Sequence, residues 1–198
     1  MTVTSAPGRR DRKKAATRKA ISRAAAELFS ARGFAGTTTL EVSEAADVAE
    51  GTLFRYAATK QELLLLVIND RLAESVAEPV QPIGDSPEDK VMAILDPILE
   101  LAKDEPVNGA PYLREVLFGA DGPERAAALE IIAAIRSRLE DALRPHQEAL
   151  HDLCVEEAAD WVFSALVSEV LRTMVGRDQG GPLRARVRVL LRGLGVTN

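Results

Sequence analysis

At 198 residues, with 46% hydrophobic and only 4% aromatic residues, the chain is too apolar for disorder and long enough to bury a substantial core in one domain or two small ones. Its net charge of −5 is unevenly placed: residues 1–60 hold 11 Lys and Arg against 6 Asp and Glu, and residues 61–198 hold 14 against 24. A single cysteine, Cys154, excludes an intrachain disulfide and suits a reducing cytoplasm, and no apolar run reaches the roughly 18 residues of a spanning helix. A basic N-terminus without an apolar run behind it argues against a secretory signal.

Residues 1–14 read as a disordered basic arm, with Arg9, Arg10, Arg12, Lys13 and Lys14 available for phosphate or minor-groove contact or simply solvated. Residues 15–32 form a first helix with Ile21, Ala25, Leu28 and Phe29 on one stripe and Gly33 as its stop. A second helix starts at Thr38, whose hydroxyl can cap it, with Glu41 three residues on. Asp47 falls where the chain must turn sharply, and Asp tolerates a left-handed backbone better than most residues. A short helix over 50–57 then buries Leu53 and leaves Glu50, Thr52, Arg55 and Tyr56 outward. This is the layout of a helix-turn-helix, whose second helix enters the major groove.

Residues 17–67 resemble the DNA-binding domain of TetR-family transcriptional regulators. The resemblance rests on Leu28-Phe29, Gly33-Phe34, Thr37-Thr38, Ala45-Ala46, Gly51-Thr52-Leu53-Phe54 and Lys60-Gln61-Glu62-Leu63. Asp47 stands where the family has Gly, Ala49 where it has Ser, Phe54 where it has Tyr and Ala57 where it has Phe. The resemblance implies phosphate contacts from Thr38, Thr39, Tyr56 and Lys60 and base reading by Glu50, Gly51, Thr52 and Arg55. Arg bonds guanine bidentately, Thr offers a hydroxyl or meets the thymine methyl, and Glu accepts from cytosine. For Glu50, a carboxylate among phosphates, an ordinary solvent-facing role is the better reading, and for Arg55 it stays open.

Beyond residue 60 the periodicity is helical throughout. A connecting helix over 61–77 links head and body, without Gly or Pro from Thr52 to Glu78. Ser86-Pro87-Glu88-Asp89 opens a helix to about residue 104, with Pro97 expected to kink or divide it. Further helices are expected over 112–118, 121–143, 148–175 and 183–194, with Pro145 separating the second of these from the third. The expected fold is therefore all-α, with a three-helix DNA-binding domain over 15–60 and a larger ligand-binding and dimerisation domain over 61–198.

The family resemblance implies a homodimer on a palindromic double-stranded DNA operator, paired through the last two helices, and a small-molecule effector in the body that releases it. Candidate pocket residues are Met92, Tyr112, Phe118, Trp161, Ser164 and Ser168, each also compatible with core packing. A helical enzyme or ligand-binding protein retaining the head as a scaffold is the alternative, and a regulator answering to a partner protein is a third. No Gly-rich phosphate loop or Gly-x-Ser-x-Gly motif favours an enzyme. His146, His151, Cys154 and Glu157 could be imagined around zinc, but without a second cysteine pair they read as ordinary helix residues. Neither metal nor cofactor nor membrane association is expected.

Overall fold

The computed structural model describes residues 8–77, 81–150, 153–176 and 182–196, and it contains no strand among them. The helices are α1 (Arg9–Arg32), α2 (Thr39–Ala45), α3 (Glu50–Leu53), α4 (Lys60–Ala77), α5 (Pro87–Asp104), α6 (Gly109–Phe118), α7 (Pro123–Leu143), α8 (Val155–Met174) and α9 (Leu183–Gly193). A 3-10 turn, Arg144–His146, follows α7.

The head is built from short helices with strong end signals. Gly33 stops α1 at φ 72°, where its N–H donates to the Phe29 carbonyl at 2.8 Å. Thr38 caps α2 reciprocally: its hydroxyl accepts from Glu41 N–H at 3.2 Å, and its own N–H donates to Glu41 Oε2 at 2.8 Å. These bonds hold the Glu41 carboxyl below the usual carboxylate range. Asp47 takes the left-handed conformation expected of it, at φ 52°. Ile21, Phe29, Val42 and Leu53 close the core between α1, α2 and α3.

That core continues into α4. Seven consecutive residues, Leu63 to Asn69, are buried, so α4 is covered on every side. Leu63, Leu64, Leu66 and Val67 complete the head, and Leu72 enters the body core with Val91, Leu95, Ile135, Leu139, Val162 and Leu166. The packing of α4 is therefore continuous from the core around α1, α2 and α3 into the body core.

In the body, α7 and α8 pack together, α5 lies against both, and α9 covers α8 and α5. Ser86 caps α5 by accepting from Asp89 N–H at 3.1 Å, and α5 runs on continuously through Pro97. At its start Glu88 accepts from Arg188 and Arg184 of α9, and Asp89 accepts from the Ser86 hydroxyl and from Arg184, which holds both carboxyls below their usual range.

Several boundaries differ from those expected. Residues 9–14, read as part of a disordered arm, form the first turns of α1, because Gly8 can stay extended before a run of good helix formers; residues 1–7 lie outside the described residues. The helix α3 is only one turn, and residues 54–56 follow as a turn. The helix α6 starts at Gly109 and not at residue 112. The helix α8 begins at Val155 rather than residue 148: after Pro145 the chain turns, and Glu157 accepts from Cys154 N–H at 3.0 Å to start the helix there.

Candidate nucleic-acid interface and ligand cavity

The helix-turn-helix presents Thr38, Glu50, Gly51 and Arg55 at the surface, with Thr39, Thr52, Tyr56 and Lys60 half-buried beside them. All eight sequence-predicted residues thus belong to one short segment with accessible side chains. A Cβ added at Gly51 would meet nothing within 4 Å, so the backbone there is open to close approach. The remaining residues are partly tied to their neighbours. The Thr39 hydroxyl donates to Glu50 Oε1 at 3.2 Å, and Tyr56 donates to the Lys14 carbonyl at 3.2 Å. Lys60 Nζ sits 4.5 Å from the Phe34 ring centroid and 3.4 Å from the Ala35 carbonyl oxygen, which aims the ammonium along the α1–α2 turn. The Tyr56–Lys14 bond brings the exposed basic turns of α1, with Arg9, Arg10, Arg12, Lys13 and Lys14, against the end of α3. Exposed Leu40 and Phe54 add apolar surface to the same segment.

The body holds a cavity of about 210 Å³ walled by α4, α5, α6, α7 and α8. Leu101, Leu113, Ile135, Phe163 and Leu166 typify its apolar lining, and Glu105 and Tyr112 supply polar side chains. Tyr112 donates to Asn69 Oδ1 at 3.0 Å, and burial pushes its phenol pKa up. Glu105 pairs with Arg71 of α4 and accepts from Asn108 Nδ2 at 2.8 Å. The lining therefore offers hydrocarbon, with its polar groups already engaged.

Of the six pocket candidates, only Tyr112 lines this cavity. Met92 is buried in the body core away from it, and Phe118 is 83% exposed at the end of α6. Trp161, Ser164 and Ser168 face outward from α8, because Phe163, Leu166 and Val170 occupy its inner face and helical spacing sends the others to the opposite side. Sequence reasoning missed Glu105, Asn108 and Asn69. Asn69 sits inside an apolar run where a polar residue must find a buried partner, and that was the available signal.

Among the described residues no three His, Cys, Asp or Glu are grouped to hold a metal; His151 lies outside them. Likewise no helix among them is long and apolar enough to cross a membrane.

Residues 21–67 match the family model of bacterial regulatory proteins of the tetR family. The chain is 31% identical over 144 residues to the HTH-type transcriptional regulator TcmR of Streptomyces glaucescens, a match covering 72% of this chain and 59% of TcmR. It is 28% identical over 176 residues to the HTH-type transcriptional repressor KstR of Rhodococcus jostii, covering 88% of this chain and 82% of KstR. Thermus thermophilus FadR, a TetR-family repressor solved with lauroyl-CoA, superposes with a TM-score of 0.61 at 26% identity, over 91% of this chain and 96% of FadR. Matched in its head by the family model and along most of its length by relatives of the same kind, the chain belongs to the TetR family of transcriptional regulators.

Proposed function

We propose that this regulator is a repressor that binds a palindromic DNA operator as a homodimer and is released by an apolar small molecule held in the body. The observation that carries the reading is the position of α4, whose first residue, Lys60, lies beside the α1–α2 turn and whose Ile68 and Leu72 line the cavity. One continuous helix thus joins a basic head to a hydrocarbon-lined space. The reading assigns phosphate contacts to Thr38, Thr39, Tyr56 and Lys60 and base reading to Gly51, Thr52 and Arg55. Glu50, bonded to Thr39, takes the role of orienting that threonine.

The cavity is smaller than the roughly 300–1,000 Å³ of sites for drug-sized ligands. It fits a compact apolar molecule or one hydrocarbon chain whose polar end remains at the mouth, in keeping with the lauroyl-CoA that FadR holds. For the dimer, Trp161, Ser164, Ser168, Leu171 and Val175 form an outward stripe along α8, and Ala185 and Val189 a second on α9. Exposed Trp161, Leu171, Val175 and Val189, spaced by small residues, give the self-complementary surface an isologous interface needs. Selection of bound duplexes from a random pool tests the reading: palindromic sites with a fixed spacing are expected, and recovery without sequence preference would refute it.

A further inference from the structure

The chain leading into α6 reaches across to the head. Asn108 lies at the N-cap of α6, where asparagine ordinarily bonds the N–H groups of its own helix, yet its side chain makes no such bond. It is turned instead onto α1, with 2% of its surface exposed. Nδ2 donates to the Phe29 carbonyl at 3.0 Å, and Oδ1 accepts from the Phe34 N–H at 2.8 Å. A residue of the body thus pairs backbone groups on both sides of Gly33, where α1 ends. Val107 adds a steric contact: a Cβ on Gly33 would lie 2.9 Å from Val107 Cγ1.

The other Asn108 bond leads to the cavity. Nδ2 also donates to Glu105 Oε2 at 2.8 Å, and Glu105 is a wall residue, itself paired with Arg71 of α4. The backbone carries the same link, since Gly109 N–H donates to the Glu105 carbonyl at 3.0 Å and Tyr112 N–H to the Asn108 carbonyl at 3.0 Å. The first turn of α6 and its cavity-lining Tyr112 therefore move with Asn108. We propose that Glu105 and Asn108 form a latch through which the state of the cavity sets the α1–α2 turn of the DNA-binding head, in parallel with α4. The proposal rests on the ligand-release reading for its purpose, but the latch itself is testable without DNA.

A ligand that displaces Glu105 or shifts α6 withdraws the acceptor of Phe34 N–H and the donor to the Phe29 carbonyl. The turn then loosens, and with it the placement of Thr38 and Lys60. Glu105 and Asn108 are positioning residues here, and the readout is amide hydrogen exchange over residues 29–38 of the full-length protein. Asn108→Ala should raise exchange there at least tenfold while leaving residues 63–67 and 135–143 as protected as in the wild type. Glu105→Ala should do the same, and the double variant should exceed neither single change, because both open one latch. Glu105→Gln, which keeps an acceptor for Asn108 Nδ2, should restore most of the protection.

Additive effects, or exchange that rises equally throughout the molecule, would mean the two residues serve general stability alone and would overturn the latch. Lauroyl-CoA serves as the ligand probe, its binding followed by calorimetry. If it binds and loosens residues 29–38 in the wild type but adds nothing in Asn108→Ala, the cavity half of the proposal stands. If it binds and leaves that segment unchanged, the cavity half falls. If it does not bind, the acyl-ligand reading fails, and the substitution cycle alone decides the latch.

Discussion

The phenol of Tyr112 donates to Asn69 Oδ1 at 3.0 Å, and Asn69 Nδ2 donates onward to the Glu124 carbonyl at 2.7 Å. Three helices, α6, α4 and α7, therefore meet at one amide that is only 3% exposed, one residue from the cavity-lining Ile68. The bonding pattern fixes the rotation of α4 relative to the wall that a ligand would touch.

Removing either partner leaves a buried polar group without its bond, at about 1–3 kcal/mol per orphaned group. Tyr112→Phe should fall within that range, and Asn69→Ala should cost more, since it strands the Tyr112 hydroxyl and also removes the bond to the Glu124 carbonyl. Denaturant unfolding of the three proteins measures this; equal stability of Tyr112→Phe and wild type would show that the hydroxyl bond contributes nothing net. For the same reason a glycine at residue 69 would not isolate the stiffness of α4. Glu74 is exposed on that helix, and Glu74→Gly softens it for about 1 kcal/mol without touching a buried bond.

The head was legible because its signals are local. Capping at Thr38, the left-handed Asp47 and the buried Leu53 are each dictated by residues within a few positions, and the structure reproduces them. The body helices also followed from periodicity and from Ser86-Pro87 and Pro145. The cavity did not, because its walls come from five helices and the outward side of α8 carries Trp161, a residue that usually marks a core. Asn108 escaped for a related reason: its partners Phe29 and Phe34 lie more than 70 residues earlier, and nothing in a loop sequence announces such a bond.

Positioning and reading separate by salt and by sequence. With Lys60 beside the α1–α2 turn, Lys60→Ala should weaken all duplexes by similar factors and reduce the slope of log affinity against log salt by about one. Arg55→Ala should instead relax the preference at one base pair per half-site, for about 1–3 kcal/mol. Half-site centres roughly 34 Å apart, or a multiple of it, are expected for two heads on one face. Titrations on selected and scrambled duplexes at several salt concentrations decide the assignment; a uniform loss from Arg55→Ala makes that residue a phosphate contact.

The stripe on α8 predicts the oligomeric state. Trp161 is 58% exposed and Leu171 48% exposed, so a charge at Trp161 disturbs little within one protomer. In a dimer paired through this face, Trp161→Glu would bury two like charges close together and should raise the dissociation constant at least tenfold. Sedimentation over a concentration series gives the answer. Unchanged association would move the interface away from α8.

The joint between head and body contains a pH-dependent contact. Arg18 of α1 donates to Asp70 of α4 at 2.5 Å and to Glu124 of α7 at 3.4 Å. Burial raises the Glu124 pKa above the ordinary carboxylate value, with Arg18 opposing it only in part, and Glu124 Oε2 is buried without a hydrogen-bond partner. A carboxyl whose folded pKa is raised binds its proton more tightly in the fold. Stability is therefore greatest below the unfolded value and declines as pH rises through the raised folded one. Glu124→Gln should melt higher than wild type at neutral pH, with the gap closing as pH falls into the ordinary carboxylate range. A gap that widens on acidification would mean the pairing with Arg18 outweighs desolvation.

Asp47 offers the last test, on the turn that sets α3. At φ 52° it is the one non-glycine residue with positive φ among those described, and its N–H donates to the Glu44 carbonyl at 3.1 Å. Left-handed backbone costs an ordinary L-residue roughly 1–2 kcal/mol, and aspartate somewhat less because its short polar side chain bonds locally. Glycine removes that strain but adds entropy to the unfolded chain. The two effects oppose, so Asp47→Gly should change stability by no more than about 1 kcal/mol, in the stabilising direction if strain is the larger. Asp47→Val, with a branched Cβ in a left-handed turn, should destabilise by at least about 1 kcal/mol. The side chain is exposed, so neither change disturbs packing, and the difference between the variants isolates the backbone. If valine is tolerated as well as glycine, the turn has relaxed to another conformation, and DNA binding should then fall with it because α3 will have lost its angle to α2.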